Sequence, residues 1–254
     1  MTSFAQTVLQ PAYVLHSKPY RDTSLLIEVF TPEFGRIGLV ARGARAAKSR
    51  MRGLLQLFHP LLISWVGKGD LVTLAAAEEH GLARVLSGPA LLSGFYLNEL
   101  LLRLLHRHDP HPALFRMYDA ALCGLAAQVG GNPPDGTVQL QRTLRNFEKH
   151  LLQEIGYGLV LDHDVVTGAA IEADGKYRYH LEKGPIQLAG PEMEKGVGIS
   201  IHGRSLIALA QNDLGDAMVL RETKRLLREA LAVHLGPKPL RSRELYGELK
   251  GGLA

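Results

Sequence analysis

Six basic side chains and no acidic one lie within residues 36–52, and this composition suits the binding of phosphate groups. They are Arg36, Arg42, Arg45, Lys48, Arg50 and Arg52. Small residues such as Gly43 separate the charges, so the backbone can come close to a phosphate chain. Each cation that neutralises a phosphate releases counterions, which makes binding salt-dependent and insensitive to base sequence. We predict that this stretch binds nucleic acid, the alternative being a solvated run of charge, and that Lys18, Arg21 and Lys68 in neighbouring turns extend the surface.

Two predicted helices carry further basic faces. Near the C-terminus, four cations recur at steps of three and four, which places them on one helix face opposite an apolar one: Arg221, Lys224, Arg225 and Arg228. Like charges at this spacing repel, and an ordinary surface helix interleaves acids among them. We therefore predict nucleic-acid contact here, with a solvated face as the equal alternative. In a helix predicted over 137–155, Arg142, Arg145 and Lys149 also share a face, which is a weaker signal on its own.

Residue types that commonly carry catalysis form no recognisable arrangement. The sequence contains no motif for a nucleotide-binding phosphate loop, a nucleophilic serine or a zinc-binding helix. His106, His108 and His111 form a local cluster with Asp109, but they fall at a predicted helix end, where such residues serve as caps and turn formers. Residues 162–164 (Asp-His-Asp) are likewise interpreted as a turn. We therefore predict a protein that is not an enzyme and that holds no metal or cofactor.

The composition fits an ordinary globular chain with a mildly basic balance. It has 254 residues, of which 46% are hydrophobic, and a net charge of +4, so the placement of charge is more informative than its amount. The single cysteine, Cys123, excludes an internal disulfide and a cysteine-rich zinc site. Residues 1–10 lack the pattern of a secretory signal, and the apolar residues 97–105 are interrupted by polar ones. We expect a soluble, cytoplasmic, nucleoid-associated protein.

The elements that would position the first basic stretch are β-strands. Five short β-rich runs fill the first 80 residues, at 8–16, 24–31, 36–41, 61–66 and 71–76. Turn signals such as Lys18-Pro19 and Gly67-Lys68-Gly69-Asp70 separate them. Five short strands in a small domain predict a barrel, and the OB-fold is the commonest such barrel that binds nucleic acid, with an SH3-like barrel as the alternative. In the barrel, the basic stretch falls at the end of the third strand and in the connection after it.

The rest of the chain is predicted to be mainly helical. Helices are expected over 89–107, 112–128 and 137–155, and again from Asp216, a good N-cap, to Gly236-Pro237. Residues 157–200 are Gly-rich and irregular, and Asp174-Gly175 predicts a hairpin between 170–173 and 177–181. The predicted fold class is therefore α+β: an N-terminal five-stranded OB-fold barrel followed by an α-helical domain with a small irregular β-hairpin lobe.

Three stretches together resemble a known family. The first is Ala12-Tyr13-Val14-Leu15-His16, followed by Tyr20-Arg21-Asp22-Thr23-Ser24-Leu25, Gly35-Arg36 and Val40-Ala41-Arg42-Gly43-Ala44-Arg45. The second is Leu144-Arg145-Asn146-Phe147-Glu148, followed by Leu151-Leu152 and Gly156-Tyr157-Gly158. The third is Pro239-Leu240-Arg241-Ser242-Arg243-Glu244-Leu245. Their order and spacing, over essentially the whole chain, resemble those of RecO, a family of bacterial recombination mediators.

This resemblance implies a domain organisation. It gives an OB-fold nucleic-acid-binding domain over 1–82, a helical domain over 83–158, an irregular lobe over 159–201 and C-terminal helices over 202–254 that complete the helical domain. In many family members the lobe contains a four-cysteine zinc knuckle. Here residues 161–167 hold acids and a histidine but no cysteine. We therefore expect a zinc-knuckle-like lobe without metal, held by its hairpin and by apolar packing.

The resemblance also implies a function in DNA repair and recombination. RecO-like proteins bind single- and double-stranded DNA, anneal complementary strands, and work with RecR (and RecF) so that RecA can displace the single-stranded DNA-binding protein. They also bind the acidic, phenylalanine-ended C-terminal tail of that coating protein. Arg145 matches the family arginine associated with this tail, and Arg142 and Lys149 would attract its acidic residues. The expected partners are thus DNA, RecR and the tail, with the chain alone expected to be a monomer.

Two other function classes stay open from the residues alone. One is an OB-fold RNA-binding or ribosome-associated module, which the basic stretch does not exclude; such readers usually expose aromatic residues for base stacking. The other is a protein-interaction adaptor with no role at nucleic acid. The adaptor would bind the tail peptide without salt-sensitive affinity for DNA.

Overall fold

The computed structural model describes residues 9–127, 133–188 and 196–245. The chain forms two compact units. Unit 1 comprises residues 1–129 and 239–254, and unit 2 comprises residues 130–238. The four-part division expected from the sequence has finer boundaries than these two units, and those boundaries stay predictions.

Unit 1 begins with a closed five-stranded barrel. Its strands are β1 (Gln10–Tyr20), β2 (Ser24–Thr31), β3 (Gly35–Ala41), β4 (Pro60–Val66) and β5 (Leu71–Glu79). They close in the order β1-β2-β3-β5-β4, with β3 and β5 parallel and the other pairs antiparallel. The OB-type barrel predicted from the sequence is therefore confirmed, and residue 8, the predicted start of the first strand, lies outside the described residues.

Alternating β-branched and aliphatic residues form the core of the barrel. Successive side chains of a strand point to opposite faces, and branched side chains suit a pleated, half-buried surface. Ile27 and Val29 of β2, Leu39 of β3 and Ile63 of β4 are completely inaccessible to solvent. Residues of β5 join the same cluster, so every strand contributes to one interior.

Three helices complete the described fold of unit 1: α1 (Met51–Leu54), α2 (Gly88–Leu104) and α3 (Pro112–Ala126). An aromatic layer joins α3 to the barrel, because Tyr13 and Phe30 contact Phe115 and Tyr118 at ring-centroid distances of 5.2–6.3 Å. Buried Asn98 of α2 donates to the carbonyl of Leu15 at 2.9 Å. The helical pair is thereby fixed against β1 and β2.

The C-terminal segment of unit 1 is held by a carboxylate of α2. Glu99 accepts hydrogen bonds from the backbone N–H groups of Arg241 at 3.0 Å and Ser242 at 2.9 Å, and from the Ser242 hydroxyl at 2.7 Å. These donors lie in the first turn of a short helix, where N–H groups lack backbone partners and favour negative charge. The third stretch of the family resemblance is thus a docking segment.

Unit 2 combines helices with a small sheet. Its elements are α4 (Pro133–Glu154), β6 (Lys176–His180), β7 (Gly184–Gln187), β8 (Ile199–His202), α5 (Gly203–Gln211) and α6 (Ala217–Leu235). Phe147 and Leu151 of α4 and Leu227 and Leu231 of α6 are almost completely buried, as the step of three and four predicts for an apolar helix face. The α+β class and the helices on either side of a small lobe are confirmed. No helix within the described ranges has the length and hydropathy needed to cross a membrane.

The predicted hairpin of the lobe is wrong in its pairing. The strand expected over 177–181 exists as β6, but its partners are β7 and β8, in the order β7-β6-β8. Residues 170–173 are no strand, because the segment before them folds back on itself: His163 and Ala170 form an isolated bridge, and the Ile171 N–H donates to the Asp162 carbonyl at 3.1 Å. Asp174-Gly175 is a turn that leads into β6, and the hairpin lies at residues 181–183 instead.

Candidate nucleic-acid interface

Five cations project from the connection between β3 and β4. The first part of this connection, residues 42–52, is called the basic loop here, and its exposed cations are Arg42, Arg45, Lys48, Arg50 and Arg52. The loop is ordered by its small residues: buried Ala44 anchors it, and successive turns link Ala46 to Gly43 and Ser49 to Ala46 through hydrogen bonds of 3.1 and 3.0 Å. Within the described ranges, none of the five cations lies at ion-pair distance from a carboxylate. The basic loop therefore presents positive charge to solvent.

The turn between β1 and β2 lies directly beside the basic loop. The backbone N–H of Arg45 donates to the carbonyl of Thr23 at 2.7 Å, and the Arg45 guanidinium reaches the carbonyls of Arg21 and Asp22 at 3.3 and 3.4 Å. Lys18 and Arg21 are both exposed at this end of β1. The structure thus places Lys18 and Arg21 next to the basic loop. This position is the one expected if they extend the predicted surface.

Lys68 lies elsewhere on the barrel. It precedes β5, whose first residue, Leu71, pairs with Gly38 in the middle of β3, so the residues before Leu71 lie toward the start of β3. The basic loop instead leaves the end of β3, after Ala41, which pairs with Leu25. Because β3 and β5 run parallel, the turn that carries Lys68 is at the opposite end of β3 from the basic loop. Lys68 therefore does not extend this surface.

Arg36 is also separate from the basic loop. It lies within β3, and its guanidinium donates to the carbonyl of Leu102 in α2 and lies 3.7 Å from the carboxylate of Glu28. Arg107 also binds Glu28, so the carboxylate lies between two cations. Burial lowers the pKa of the Arg36 guanidinium. We assign Arg36 to the packing of α2 on the barrel and leave it out of the interface.

A second set of exposed cations lies on α6 of unit 2. Arg221, Lys224, Arg225 and Arg228, called the α6 stripe, are all exposed, opposite the buried Val219, Leu226 and Leu227. Asp216 caps the helix by accepting from the N–H groups of Met218 and Val219, and these donors lower the pKa of its carboxyl. The nearby acid Glu222 turns toward α5, where it accepts from Ser205 at 2.7 Å and from the His202 N–H at 3.1 Å. The predicted helix and its basic face are confirmed, whereas contact with nucleic acid stays a prediction.

The cations of α4 are engaged inside unit 2. Arg142, Arg145 and Lys149 are called the α4 cations here. Arg145 is only 5% exposed, and its guanidinium forms a two-pronged ion pair with Glu148, with Nε 2.7 Å from Oε2. Arg142 donates to the carbonyl of Leu214 at 2.9 Å. The predicted role of these three residues in binding a partner tail gains no support from this geometry and stays a prediction.

Lys149 stabilises the end of α5. Its ammonium donates to the carbonyls of Leu209 and Ala210 at 2.9 and 3.1 Å and to the side chain of Asn212 at 2.5 Å. The last carbonyls of a helix lack backbone partners and favour a cation, so this contact acts as a C-terminal cap. Partial burial lowers the pKa of the Lys149 ammonium.

The lobe of unit 2 is held by a carboxylate where zinc-bearing relatives are expected to have cysteines. Asp164, which is 2% exposed, accepts from the backbone N–H groups of Val166 at 2.8 Å, Thr167 at 2.7 Å and Gln187. The turn predicted at 162–164 lies later, at residues 165–167: His163 forms a bridge with Ala170, and Asp164 precedes the turn and accepts its N–H groups. The chain's one cysteine, Cys123, is in unit 1, so the residues of the lobe do not fit a cysteine-ligated zinc. Within the described ranges, no three His, Cys, Asp or Glu residues are arranged to hold a metal ion.

Sequence reasoning assigned no role to Tyr20 or Glu99, and it placed Asp164 only in a turn. Tyr20 ends β1 beside Arg21 and is only partly buried, although aromatic residues in a strand usually indicate the core. Glu99 accepts from backbone N–H groups that are distant in the sequence. Asp164 accepts from two N–H groups of the turn that follows it and from the distant N–H of Gln187. Only Tyr20 lies in a stretch that carries the family resemblance, and this was the one signal in the sequence that could have pointed to it.

Nearly the whole chain matches one family of known proteins. The family model for the N-terminal part of recombination protein O matches residues 5–81, and the model for its C-terminal part matches residues 86–244. The DNA repair protein RecO of Nitrosococcus oceani is 52% identical over 245 residues, which cover 96% of this chain and 95% of that protein. The proteins of the same name from Alkalilimnicola ehrlichii and Dechloromonas aromatica are 47% and 46% identical, cover 96% and 95% of this chain, and are themselves covered to 92% and 96%. The chain belongs to the RecO family of DNA repair proteins.

Proposed function

We propose that this chain is a non-enzymatic, nucleoid-associated mediator of DNA repair that binds single- and double-stranded DNA and anneals complementary strands. The observation that carries the proposal is the basic loop, with five exposed cations beside Lys18 and Arg21 and with no carboxylate partner in the described ranges. Neutralising DNA phosphates releases counterions, which supplies affinity without base readout. A protein that anneals any complementary pair needs affinity of this sequence-independent kind.

Annealing requires two phosphate backbones to approach each other. Cations between them reduce the repulsion, and both strands remain free to pair because the contacts go to phosphates. The α6 stripe offers a second run of exposed charge for this purpose. We assign single-strand binding to the basic loop and propose the α6 stripe as a further DNA contact.

The annealing assay needs a matched pair of variants. The double variant Lys48→Gln/Arg50→Gln removes two exposed charges from the basic loop. The control Lys68→Gln/Arg116→Gln removes two exposed charges from elsewhere in unit 1, so the net charge is the same. We expect the wild type and the control to accelerate duplex formation from complementary oligonucleotides without ATP, and the loop variant to be slower by about tenfold, in line with the loss of two phosphate contacts. Equal acceleration by all three would contradict the assignment, and no acceleration by the wild type would contradict the function.

Competition with RNA separates DNA repair from an RNA-binding role. Equal lengths of single-stranded DNA and RNA compete for the protein at one salt concentration. The proposed function predicts that DNA competes at least as well as RNA. A strong preference for RNA would favour an RNA-binding module instead.

Membership of the RecO family supports a set of protein partners. We propose that the chain works with RecR so that RecA can replace the single-stranded DNA-binding protein, and that it binds the acidic tail of that protein. The tail site is tested with a variant that removes the buried pair as a unit, Arg145→Met/Glu148→Leu, since replacing both partners by apolar residues is compatible with folding. If this variant keeps the wild-type affinity for a tail peptide in fluorescence anisotropy, the tail does not bind through Arg145.

A further inference from the structure

Tyr20 and Arg21 form a cation–π pair at the end of β1. The guanidinium carbon of Arg21 lies 5.2 Å from the centroid of the Tyr20 ring. Arg21 has a φ of 49°, a left-handed conformation that residues other than glycine rarely adopt. The guanidinium lies near the ring in this turn, where Arg21 is exposed and Tyr20 is partly buried.

Cations of the proposed DNA surface surround this pair. Lys18 lies two residues before Tyr20, so the two side chains share one face of β1. Tyr20 pairs with Ser24, while the next residue, Leu25, pairs with Ala41, immediately before Arg42. Arg45 binds the carbonyl of Arg21 from the other side of the turn, and Asp22 is the one acidic side chain between Tyr20 and Ser24. A phosphate chain bound by these cations would pass next to the ring.

An aromatic ring beside phosphate-binding cations has a known chemical use. Bases of single-stranded nucleic acid stack on aromatic side chains and on arginine planes, and every base has a face suited to this. Bases within a duplex are already stacked on their neighbours and are not available. We propose that Tyr20 and Arg21 stack with an unpaired base of single-stranded DNA and add a base-dependent part to an affinity otherwise supplied by phosphates. This inference rests on the proposed function, because it assumes that DNA binds at the basic loop.

The plain alternative is that Arg21 covers Tyr20 for packing only. In that case the ring contributes to the stability of the turn and nothing to DNA binding. The two cases predict different affinities: only a stacking site binds a DNA strand with bases more tightly than an abasic strand of the same length. The test therefore compares two ligands with equal numbers of phosphates.

The experiment measures binding of the full chain to a thymidine oligonucleotide and to an abasic oligonucleotide of the same length, by fluorescence anisotropy at one salt concentration. We expect the wild type to bind the thymidine strand about tenfold more tightly than the abasic strand, the scale of one lost base stack. Tyr20→Leu should lose most of that preference, and Tyr20→Phe, which keeps the ring, should retain it. Lys18→Ala should weaken binding of both strands by similar factors, because its contact is with phosphate.

Thermal unfolding checks that the variants fold. Arg21→Asn gives a second test that leaves the residues of β1 unchanged. Asparagine tolerates positive φ, so this change removes the guanidinium and keeps the turn. It should weaken binding of the thymidine strand more than that of the abasic strand. Equal wild-type affinity for the two strands, or an unchanged preference in Tyr20→Leu, would overturn the stacking site while leaving the proposed function intact. Absence of salt-sensitive binding to either strand would overturn both.

Discussion

The basic loop and the α4 cations have the same appearance in the sequence and opposite positions in the structure. Both are sets of Arg and Lys residues set apart from apolar side chains. The basic loop exposes all five of its cations, and only Arg45 has hydrogen bonds to the neighbouring turn. Each α4 cation instead donates to an acceptor of unit 2. Within the described residues, the two regions therefore differ in how many cations the fold engages: all three on α4, but one of five in the basic loop.

The acceptors beside α4 have a physical origin. Helix α5 ends next to Lys149, and its last carbonyls lack partners within the helix. Residues 212–214 then turn toward α6, and the carbonyl of Leu214 faces Arg142. Glu148 is one turn along α4 from Arg145 and 1% exposed, so it needs a cation beside it. Positive charge on α4 thus stabilises the fold, and the comparison with the basic loop can be tested by separating stability from DNA binding.

The largest expected effect is on the buried ion pair. Arg145→Ala leaves the Glu148 carboxylate buried without its cation, and we expect a loss of about 3–5 kcal/mol in the free energy of unfolding, measured in urea. Arg145→Met/Glu148→Leu removes both charges and should recover most of that loss. A single variant as stable as the wild type would show that Arg145 is not a structural cation.

A second effect concerns Asp164, another charge of unit 2 that is used internally. Asp164→Ala removes the acceptor of three backbone N–H groups, and we expect a loss of about 2 kcal/mol at neutral pH, the scale of hydrogen bonds to a charged group. The exposed Glu182 in the turn after β6 provides the control, because Glu182→Ala should change stability by no more than about 0.5 kcal/mol. Unfolding in urea measures both.

The same carboxylate predicts a dependence of stability on pH. The N–H groups of Thr167, Gln187 and Val166 lower the pKa of Asp164 from 3.8 to about 2, although burial acts against them. Since the pKa is lower in the folded state, this stabilisation is present above pH 3.8 and is lost as the pH falls toward 2. The difference in stability between the wild type and Asp164→Ala should therefore shrink across that interval. A constant difference from pH 5 to pH 2 would contradict the assignment.

A smaller effect compares one lysine from each region. Lys149→Met removes the cap of α5, and we expect a loss of about 1–2 kcal/mol in the free energy of unfolding. Lys48→Met in the basic loop should change stability by less than about 0.5 kcal/mol, because its exposed side chain does not contribute to packing. DNA affinity should show the reverse order. If Lys48→Met destabilised the protein as much as Lys149→Met, the distinction between the two regions would fail.

The sequence predicted the barrel well because its signals are local. β2 has the predicted bounds 24–31, and alternating apolar residues with turn signals mark the other strands. The apolar stripe of α4 and the N-cap of α6 are local in the same sense. The partners of polar side chains, in contrast, can be far away in the sequence. Lys149 donates to carbonyls some sixty residues away, and Glu99 accepts from Ser242, 143 residues away. Of the two partners of β6, β8 is distant and begins at residue 199, whereas β7 follows after a turn of three residues, so its pairing was missed although it is local.

The salt dependence of DNA binding by the two charge-matched variants shows whether the basic loop binds the phosphates. The affinity for single-stranded DNA is measured at several salt concentrations for the wild type, for Lys48→Gln/Arg50→Gln and for Lys68→Gln/Arg116→Gln. Each phosphate contact contributes about 0.7 to the slope of log affinity against log salt, so the loop variant should have a slope smaller by about 1.4. The control should keep the wild-type slope. Equal slopes for both variants would contradict the assignment of the basic loop as the phosphate-binding surface.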